Sequence, residues 1–183
     1  MSLIRLCEQD YQTKKALNTI ALYCIAFDTS VMPILTASVE HLLTIPNLSY
    51  TGKMYRAIMY PTTITDLRLV LSQMQQYWID NNDHQYQSWS KTIDGMARAL
   101  INNLDSGVSK LQPLIVYGQH GQGLDIGAAM NLDQRYADEY CDLVEEQELL
   151  AKFNNSVHII GFINQKFYNI DQYHLFLQSL NNS

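Results

Sequence analysis

The sequence predicts an α+β fold, with helices first and strands with interspersed helices after them. Two observations carry this prediction. Residues from about 5 to 45 repeat apolar side chains every three or four positions, which is the spacing of one helix face. The later sequence holds short runs of aliphatic and aromatic residues bounded by Gly, Pro and Asn, which are typical of strands. Because helices do not alternate regularly with these strands, α+β is favoured over repeated βαβ units.

Two helices are predicted in the N-terminal region. The apolar face of the first helix includes Cys24, for which a buried thiol is expected. Polar residues at 28–30 end this pattern, and Pro33 suits the first turn of a second helix. We expect that helix to reach about Leu43, before Ile45-Pro46-Asn47 stops it.

The middle of the chain is predicted to contain both strands and helices. Aromatic and aliphatic residues at 53–59 indicate a strand, and a capping-box pattern opens a helix at about 64–78. The run at 84–90 is interpreted as a short strand. A further helix is expected at 93–104.

The C-terminal part is predicted to be richer in strands. A compact strand is expected at 113–117, followed by a surface loop at 118–127 that contains four glycines but lacks the spacing of a phosphate-binding loop. Residues 146–153 and 157–163 are interpreted as a β-hairpin. Asp171 can cap a final helix.

Length and composition limit the class of protein. The 183 residues suit a single domain, residues 1–183, with a helical region at 1–50 and a core at 51–183. Charged residues make up 16 %, against roughly 25 % in a typical domain, and 28 Asn and Gln residues take their place. The net charge of −6 argues against a protein that holds nucleic acid through its phosphates.

Other classes are disfavoured by the absence of their patterns. No apolar run approaches the roughly 18 residues that span a bilayer, and the N-terminus lacks the pattern of a secretory signal. The five histidines and three cysteines show neither metal-ligand spacing nor a disulfide framework, so we expect no bound metal. A cytoplasmic protein is the resulting expectation.

Three segments carry polar or charged residues inside predicted strands. Arg56 lies in an apolar strand, where it either faces solvent or binds an anion. The segment Tyr86-Gln87-Ser88-Trp89-Ser90 places an aromatic ring and two hydroxyls on one strand face. Glu146 and Glu148 also share a face, where two carboxylates repel each other. On these residues alone, an exposed edge strand and a functional acidic pair both remain open.

Taken together, these segments resemble the motifs of mono-ADP-ribosyltransferases of the arginine–serine–glutamate class. That family includes cholera-like and clostridial toxins and small transferases of tailed phages. Its aromatic-Arg step is matched by Tyr55-Arg56, its aromatic-x-Ser-x-Ser/Thr motif by residues 86–90, and its Glu-x-Glu motif by residues 146–148. Arg56 precedes Ser88 by 32 residues, and Ser88 precedes Glu148 by 60.

The resemblance covers about residues 50 to 165 and implies a fold and a reaction. The implied fold is an ADP-ribosyltransferase-like split β-sandwich after a helical N-terminal region. Ala57 departs from the family pattern, in which glycine is frequent after the motif arginine. The implied reaction breaks the nicotinamide–ribose bond of NAD+, a co-substrate, and transfers ADP-ribose to an acceptor.

The resemblance also assigns roles to residues. Glu148 would grip the ribose 2′-hydroxyl and stabilise an oxocarbenium-like transition state, as carboxylates do in glycoside hydrolysis. Ser88 would hold Glu148 in place, and Arg56 would bind the NAD+ phosphates. Four further residues are implied in binding NAD+ by their places in the motifs: Tyr55, Tyr86, Trp89 and Ser90. For Trp89, packing in the core is the alternative.

The acceptor is implied by the residue two positions before Glu148. In similar enzymes a glutamate there accompanies transfer to arginine, so Glu146 favours an arginine acceptor. Residues 132–143, predicted as a short helix or an ordered loop, would face the acceptor through Tyr136 and Tyr140. A phage effector that modifies a host protein in the host cytoplasm is the setting suggested by analogy.

Two alternatives stay open at this point. In the first, the chain is a non-enzymatic interaction protein of phage or host, and Arg56, Ser88 and the glutamates are surface residues. In the second, the transferase modifies nucleic acid, or it only hydrolyses NAD+. Labelling with NAD+ distinguishes a transferase from the non-enzymatic interaction protein. Identification of the modified molecule distinguishes modification of a protein from modification of nucleic acid and from hydrolysis of NAD+.

Overall fold

A computed structural model describes residues 3–24, 28–61, 63, 66, 68–70, 72–73, 86–104, 111–139, 147–152 and 157–162. The helices in this part of the chain are α1 (Leu3–Cys24), α2 (Met32–Leu43), α3 (Ile93–Leu104), α4 (Ile126–Met130) and α5 (Gln134–Glu139). The strands are β1 (Ser49–Pro61), β2 (Gln87–Ser90), β3 (Leu111–Asp125), β4 (Glu148–Ala151) and β5 (Val157–Phe162). Helices combine with an antiparallel sheet, which confirms the α+β prediction.

The helical N-terminal region forms as the sequence predicts. Residues Thr29–Val31 make a 3-10 turn after α1, and Pro33 lies in the first turn of α2, where a missing N–H costs nothing. The two helices pack against each other, and Cys24 is buried at the end of α1. Their apolar faces join a cluster that also contains sheet residues Leu124 and Leu150. The helix pair therefore covers one side of the sheet.

The described strands pair in a closed circuit. β1 runs antiparallel to β3 from the pair Ser49–Leu124 to the pair Pro61–Leu111. β4 pairs with both β3 and β2, and Tyr55 pairs with Ser90 to join β2 back to β1. Every pairing is antiparallel, so each strand of the circuit has a neighbour on both edges. Among the described residues, the circuit closes through a single residue pair between β1 and β2.

Side-chain alternation gives this sheet two different sides. On the inner side, Met54, Trp89 and Leu149 belong to one buried cluster. On the outer side, Leu124 and Leu150 meet the helices α1 and α2. Residues on β2 and β4 therefore point alternately into the sheet cluster and toward the helices.

The prediction of a surface loop at 118–127 is wrong. β3 continues through Asp125, and α4 begins at Ile126. A Cβ atom on Gly121 would lie 2.3 Å from the sulfur of Met54, and one on Gly123 would lie 2.7 Å from the carbonyl oxygen of Leu150. The glycines are needed because neighbouring strands leave no space for side chains, and this requirement is invisible in the local sequence.

The prediction that residues 146–153 and 157–163 form a β-hairpin is also wrong. β4 and β5 both pair with β3, through Gly123–Ala151 and Gly118–Val157 respectively, and they follow one another along the same edge. β4 lies between β2 and β3 and is buried along its whole length. The exposed-edge interpretation of Glu148 fails for the same reason. The 15-residue β3 is long enough to take two short partners in succession.

The remaining element predictions have mixed outcomes. The helix at 93–104 is confirmed by α3, and the strand at 84–90 is present in its second half as β2. The helix at 64–78 is represented by helical residues at 68–70 and 72–73, and its other residues lie outside the described ones. The helix capped by Asp171 also lies outside them.

Candidate active site

Strand pairing brings two of the predicted site residues together. Ser90 pairs with Glu148, and Ser88 pairs with Leu150. Because directly paired residues of antiparallel strands point to the same side, Ser88, Ser90 and Glu148 all lie on the outer side of the sheet. The alternation predicted for residues 86–90 thus places both hydroxyls beside one carboxylate.

Ser88 and Glu148 are joined by a short hydrogen bond. The Ser88 hydroxyl donates a hydrogen bond to Oε1 of Glu148 at 2.5 Å. Glu148 is only 5 % exposed, whereas Ser88 is exposed. A carboxylate with so little contact with water interacts more strongly with nearby charge than one in solution. The pair is therefore suited to stabilise a positive charge that develops beside it.

The backbone before Glu148 has an unusual conformation. Gln147 has a φ of 50°, in the left-handed region that few non-glycine residues adopt. Its carbonyl oxygen accepts a hydrogen bond from the backbone N–H of Lys91 at 3.0 Å. This turn starts β4 at Glu148, opposite the end of β2. It fixes the carboxylate where Ser88 can reach it.

Arg56 lies on β1, beside the same end of β2. Its guanidinium donates from Nη1 to Oε1 of Gln87 and lies 6.0 Å above the ring of Trp89. Alternation along β1 places Arg56 on the inner side, with Met54 and Trp89, opposite the side that carries Ser88. The strands therefore do not set Arg56 and Ser88 side by side.

The charge of Arg56 nevertheless interacts with that of Glu148. Burial of the guanidinium lowers the pKa of Arg56, whereas the phenol of Tyr23 and the carboxylate of Glu148 raise it. Burial likewise raises the pKa of Tyr23, on α1, while Arg56 lowers it. Arg56, Tyr23 and Glu148 thus form an electrostatically connected group in which the arginine supplies the positive charge.

The other residues implied in binding NAD+ occupy several positions. Tyr55 pairs with Ser90, next to Glu148, and its ring centre lies 6.3 Å from that of Tyr117. Trp89 is fully buried in the inner cluster, beneath Arg56. Tyr86 is buried at the other end of β2, where Lys152 lies 4.9 Å from its ring centre.

The residues implied in acceptor recognition are partly covered by the structure. Tyr136 lies on α5, where it packs against the apolar cluster that the N-terminal helices form with Leu124 and Leu150. It also lies under the guanidinium of Arg135. Residues 132–143 were predicted as a helix or an ordered loop, and α5 forms over Gln134–Glu139. Tyr140 and Glu146 lie outside the described residues.

Sequence reasoning missed an ion pair next to the site. Lys91, which directly follows β2, pairs through Nζ with Oδ2 of Asp125. The other oxygen of Asp125 accepts a hydrogen bond from the backbone N–H of Ala128 at 3.1 Å and caps α4. An Asp immediately before a helical Ile-Gly-Ala-Ala segment is an N-cap signal that could have found it. The ion pair fixes the end of β2 to the end of β3.

Two kinds of feature are absent from the described residues. They contain no group of three or more His, Cys, Asp and Glu side chains arranged to hold a metal ion. No helix among them is both long and apolar enough to cross a membrane.

Comparison with known proteins adds no relative. No family model matches the chain, and neither a curated protein nor a solved structure matches it. A functional proposal therefore depends on the motifs and on the geometry of Ser88, Glu148 and Arg56.

Proposed function

We propose that this protein is an NAD+-dependent mono-ADP-ribosyltransferase that modifies a protein, with arginine as the acceptor. The observation that carries the proposal is the 2.5 Å hydrogen bond from Ser88 to the buried carboxylate of Glu148. The family motifs place a serine and a glutamate at these two positions. Their separation of 60 positions in the chain makes the contact a property of the fold rather than of local sequence.

In the proposed reaction, the bond between nicotinamide nitrogen and ribose C1′ breaks, and its electron pair leaves with nicotinamide. Positive charge then develops on the ribose, next to the carboxylate of Glu148. A guanidinium nitrogen of the acceptor arginine forms the new bond to C1′ and releases its proton to water. Ser88 keeps Glu148 oriented throughout, and a preorganised carboxylate costs no reorganisation at the moment of reaction.

Arg56 is proposed to bind the phosphates of NAD+. A guanidinium presents paired donors that match phosphate oxygens, and its charge is retained despite burial because arginine has a very high pKa. Gln87 holds this guanidinium from one side. The same proposal assigns the ADP-ribosyltransferase-like split β-sandwich to this fold on the basis of the three motifs.

The setting is proposed as a host cytoplasm in which a phage effector modifies a host protein. Its test uses the whole chain with NAD+ labelled on the adenylate phosphate and a bacterial lysate as the source of acceptors. We expect labelled protein and an equal amount of released nicotinamide, and agmatine should compete as a guanidine acceptor. If neither label nor nicotinamide appears, the proposal is overturned.

Replacement of Glu148 by glutamine tests the catalytic assignment. Glu148→Gln keeps the size of the side chain and removes its charge, so we expect nicotinamide release to fall at least about 100-fold. The matched control is Asp10→Asn, an exposed carboxylate whose ion pair with Lys14 contributes little. Full activity of Glu148→Gln with an unchanged circular dichroism spectrum would contradict the assignment.

Replacement of Ser88 tests the positioning role. Ser88→Ala removes one charge-assisted hydrogen bond, for which a contribution of about 1.5–3 kcal/mol is typical, so kcat should fall about 10-fold or more. Ser88→Thr keeps the hydroxyl and should retain most activity. Ser38→Ala is the control, because the Ser38 hydroxyl bonds only locally, to the carbonyl of Ile34 at 3.0 Å. Equal kcat for Ser88→Ala and wild type would remove the role.

A further inference from the structure

A cavity lies away from the Ser88–Glu148 pair, on the outer side of the sheet. It has a volume of about 490 Å³, within the range typical of small-molecule sites. It opens between the end of α2 and strands β1 and β3. Its walls include Leu43, Thr51, Tyr86, His120, Gln122 and Lys152.

The cavity is separate from the Ser88–Glu148 pair. Lys152 lies four residues beyond Glu148 along the chain, which corresponds to about 13 Å in an extended strand. Leu150 lies between them, and it is fully buried under the helices of the N-terminal region. A small ligand held at Lys152 and His120 therefore does not reach Glu148.

The lining has the chemistry of a site for a small polar anion. Lys152 and His120 supply the basic groups, and none of the described residues that line the cavity carries a carboxylate, although Glu40 contacts Lys152 from outside this lining. Thr51 and Gln122 pair with each other across β1 and β3 and offer a hydroxyl and an amide. Leu43 and Tyr86 supply apolar surface. The basic groups suit a phosphate, and the neutral donors and acceptors beside an apolar wall suit a sugar. Together they suit a sugar that carries a phosphate.

We propose that this cavity binds a phosphorylated sugar, with the phosphate at Lys152 and His120 and the sugar hydroxyls at Thr51 and Gln122. Such a group occurs in free sugar phosphates and in nucleoside monophosphates. The proposal does not depend on the proposed transferase activity, because the four residues that would hold the ligand lie outside the three motifs; of the motif residues only Tyr86 lines the cavity, as part of its wall.

The ammonium group of Lys152 forms an ion pair with a residue outside the cavity. Its Nζ lies 3.1 Å from Oε1 of Glu40, on α2, and both side chains are partly exposed. A bound phosphate would compete with this carboxylate for the ammonium group. Glu40→Gln should therefore tighten phosphate binding, whereas Lys152→Met should weaken it.

The experiment is isothermal titration calorimetry of the whole chain with ribose 5-phosphate, AMP, adenosine and inorganic phosphate as separate probes. We expect ribose 5-phosphate to bind at least about tenfold more tightly than inorganic phosphate, and adenosine to bind weakly. Tighter binding of AMP than of ribose 5-phosphate would identify a nucleotide as the source of the phosphorylated sugar. If no phosphorylated probe binds, or if inorganic phosphate binds as well as ribose 5-phosphate, the proposal is overturned.

Variants locate the bound probe. Lys152→Met should weaken ribose 5-phosphate binding about tenfold, Gln122→Leu should also weaken it, and Glu40→Gln should strengthen it severalfold. Glu148→Gln should leave its affinity within about twofold of wild type, even if transferase activity is lost or was never present. Affinity lost in Arg56→Gln or Glu148→Gln but kept in Lys152→Met would place the probe at the site proposed for NAD+ and overturn the assignment. Circular dichroism of each variant checks that it is folded.

Discussion

At the residue scale, Gln147 is the residue on which the position of Glu148 depends. Its left-handed backbone, with a φ of 50°, comes immediately before the buried carboxylate, and its side chain is exposed. Strained backbone of this kind persists when surrounding contacts hold it, here the hydrogen bond from Lys91. The sequence Glu-Gln-Glu carries no turn signal, so this conformation is imposed by the pairing of β4 with its neighbours.

Substitution of Gln147 tests whether this strain is present. Gln147→Gly should raise the free energy of unfolding by about 0.5–1 kcal/mol, because glycine adopts positive φ without a steric penalty. Gln119→Gly is the matched control at an exposed position of β3, and it should lower the same quantity by a similar amount. Urea denaturation of the three proteins measures both changes. A destabilised Gln147→Gly variant would show that the backbone there is not strained.

At the scale of the element, β3 is the strand that organises the sheet. It pairs with β1 along one edge and with β4 and then β5 along the other. Glycines allow this crowding, since Gly121 lies against Met54 and Gly123 against the backbone of β4. The two contacts differ in kind: a methionine side chain can rotate away, whereas a paired strand cannot move without breaking its hydrogen bonds.

Alanine substitutions at the two glycines should therefore differ in cost. Gly123→Ala should lower the free energy of unfolding by about 1–3 kcal/mol, since its Cβ would lie 2.7 Å from the Leu150 carbonyl oxygen. Gly121→Ala should cost less, and its cost should shrink further when Met54→Ala is already present. Chemical denaturation of the single and double variants measures the coupling. Equal costs for both glycines, or no coupling with Met54, would contradict this account.

At the scale of the whole molecule, two apolar clusters share one sheet. The helices of the N-terminal region cover the outer side, and the inner side packs on itself around Trp89. Glu148 lies on the outer side with Leu150, so the helices that bury Leu150 also contribute Tyr23 to the surroundings of Glu148. The N-terminal region, which carries no motif, is therefore part of the electrostatic environment of the candidate site.

Acid stability is a property of the whole molecule that one surface group influences. The hydrogen bond from the Arg135 side chain lowers the pKa of Asp133 from 3.8 to about 2. Because the native pKa is depressed, this stabilisation is present above about pH 4 and is lost as the pH falls toward 2. We expect the urea midpoint of wild type to fall more steeply over this range than that of Asp133→Asn.

The partner of Asp133 provides the control for this measurement. Arg135→Gln removes the donor and leaves the carboxylate, so it should flatten the pH dependence as Asp133→Asn does. The double variant should then show no additional change. Parallel pH profiles for wild type and Asp133→Asn between pH 4 and 2 would contradict the assigned cause.

Local sequence patterns predicted much of the fold and the order in which the candidate site residues occur along the chain. Apolar spacing and Pro33 predicted α1 and α2, and the predicted bounds of α3 agree with the structure. The side-chain alternation at Ser88 and Ser90 was also correct. The patterns failed where a residue's environment comes from distant strands. Glycines that usually break strands lie in β3 because Met54 and Leu150 approach them, and Glu148 looked exposed because its strand neighbours are remote in sequence.

The sequence by itself determined the helices, most of the strands and the three motifs, because these depend on residue type and on spacing of a few positions. Only the tertiary structure decided that Ser88 contacts Glu148, that Arg56 contacts Gln87 and the ring of Trp89 rather than Ser88, and that a cavity lies near Lys152. The physical reason is strand register. A shift by one residue turns every side chain to the opposite side, and register is set by pairing across the whole sheet.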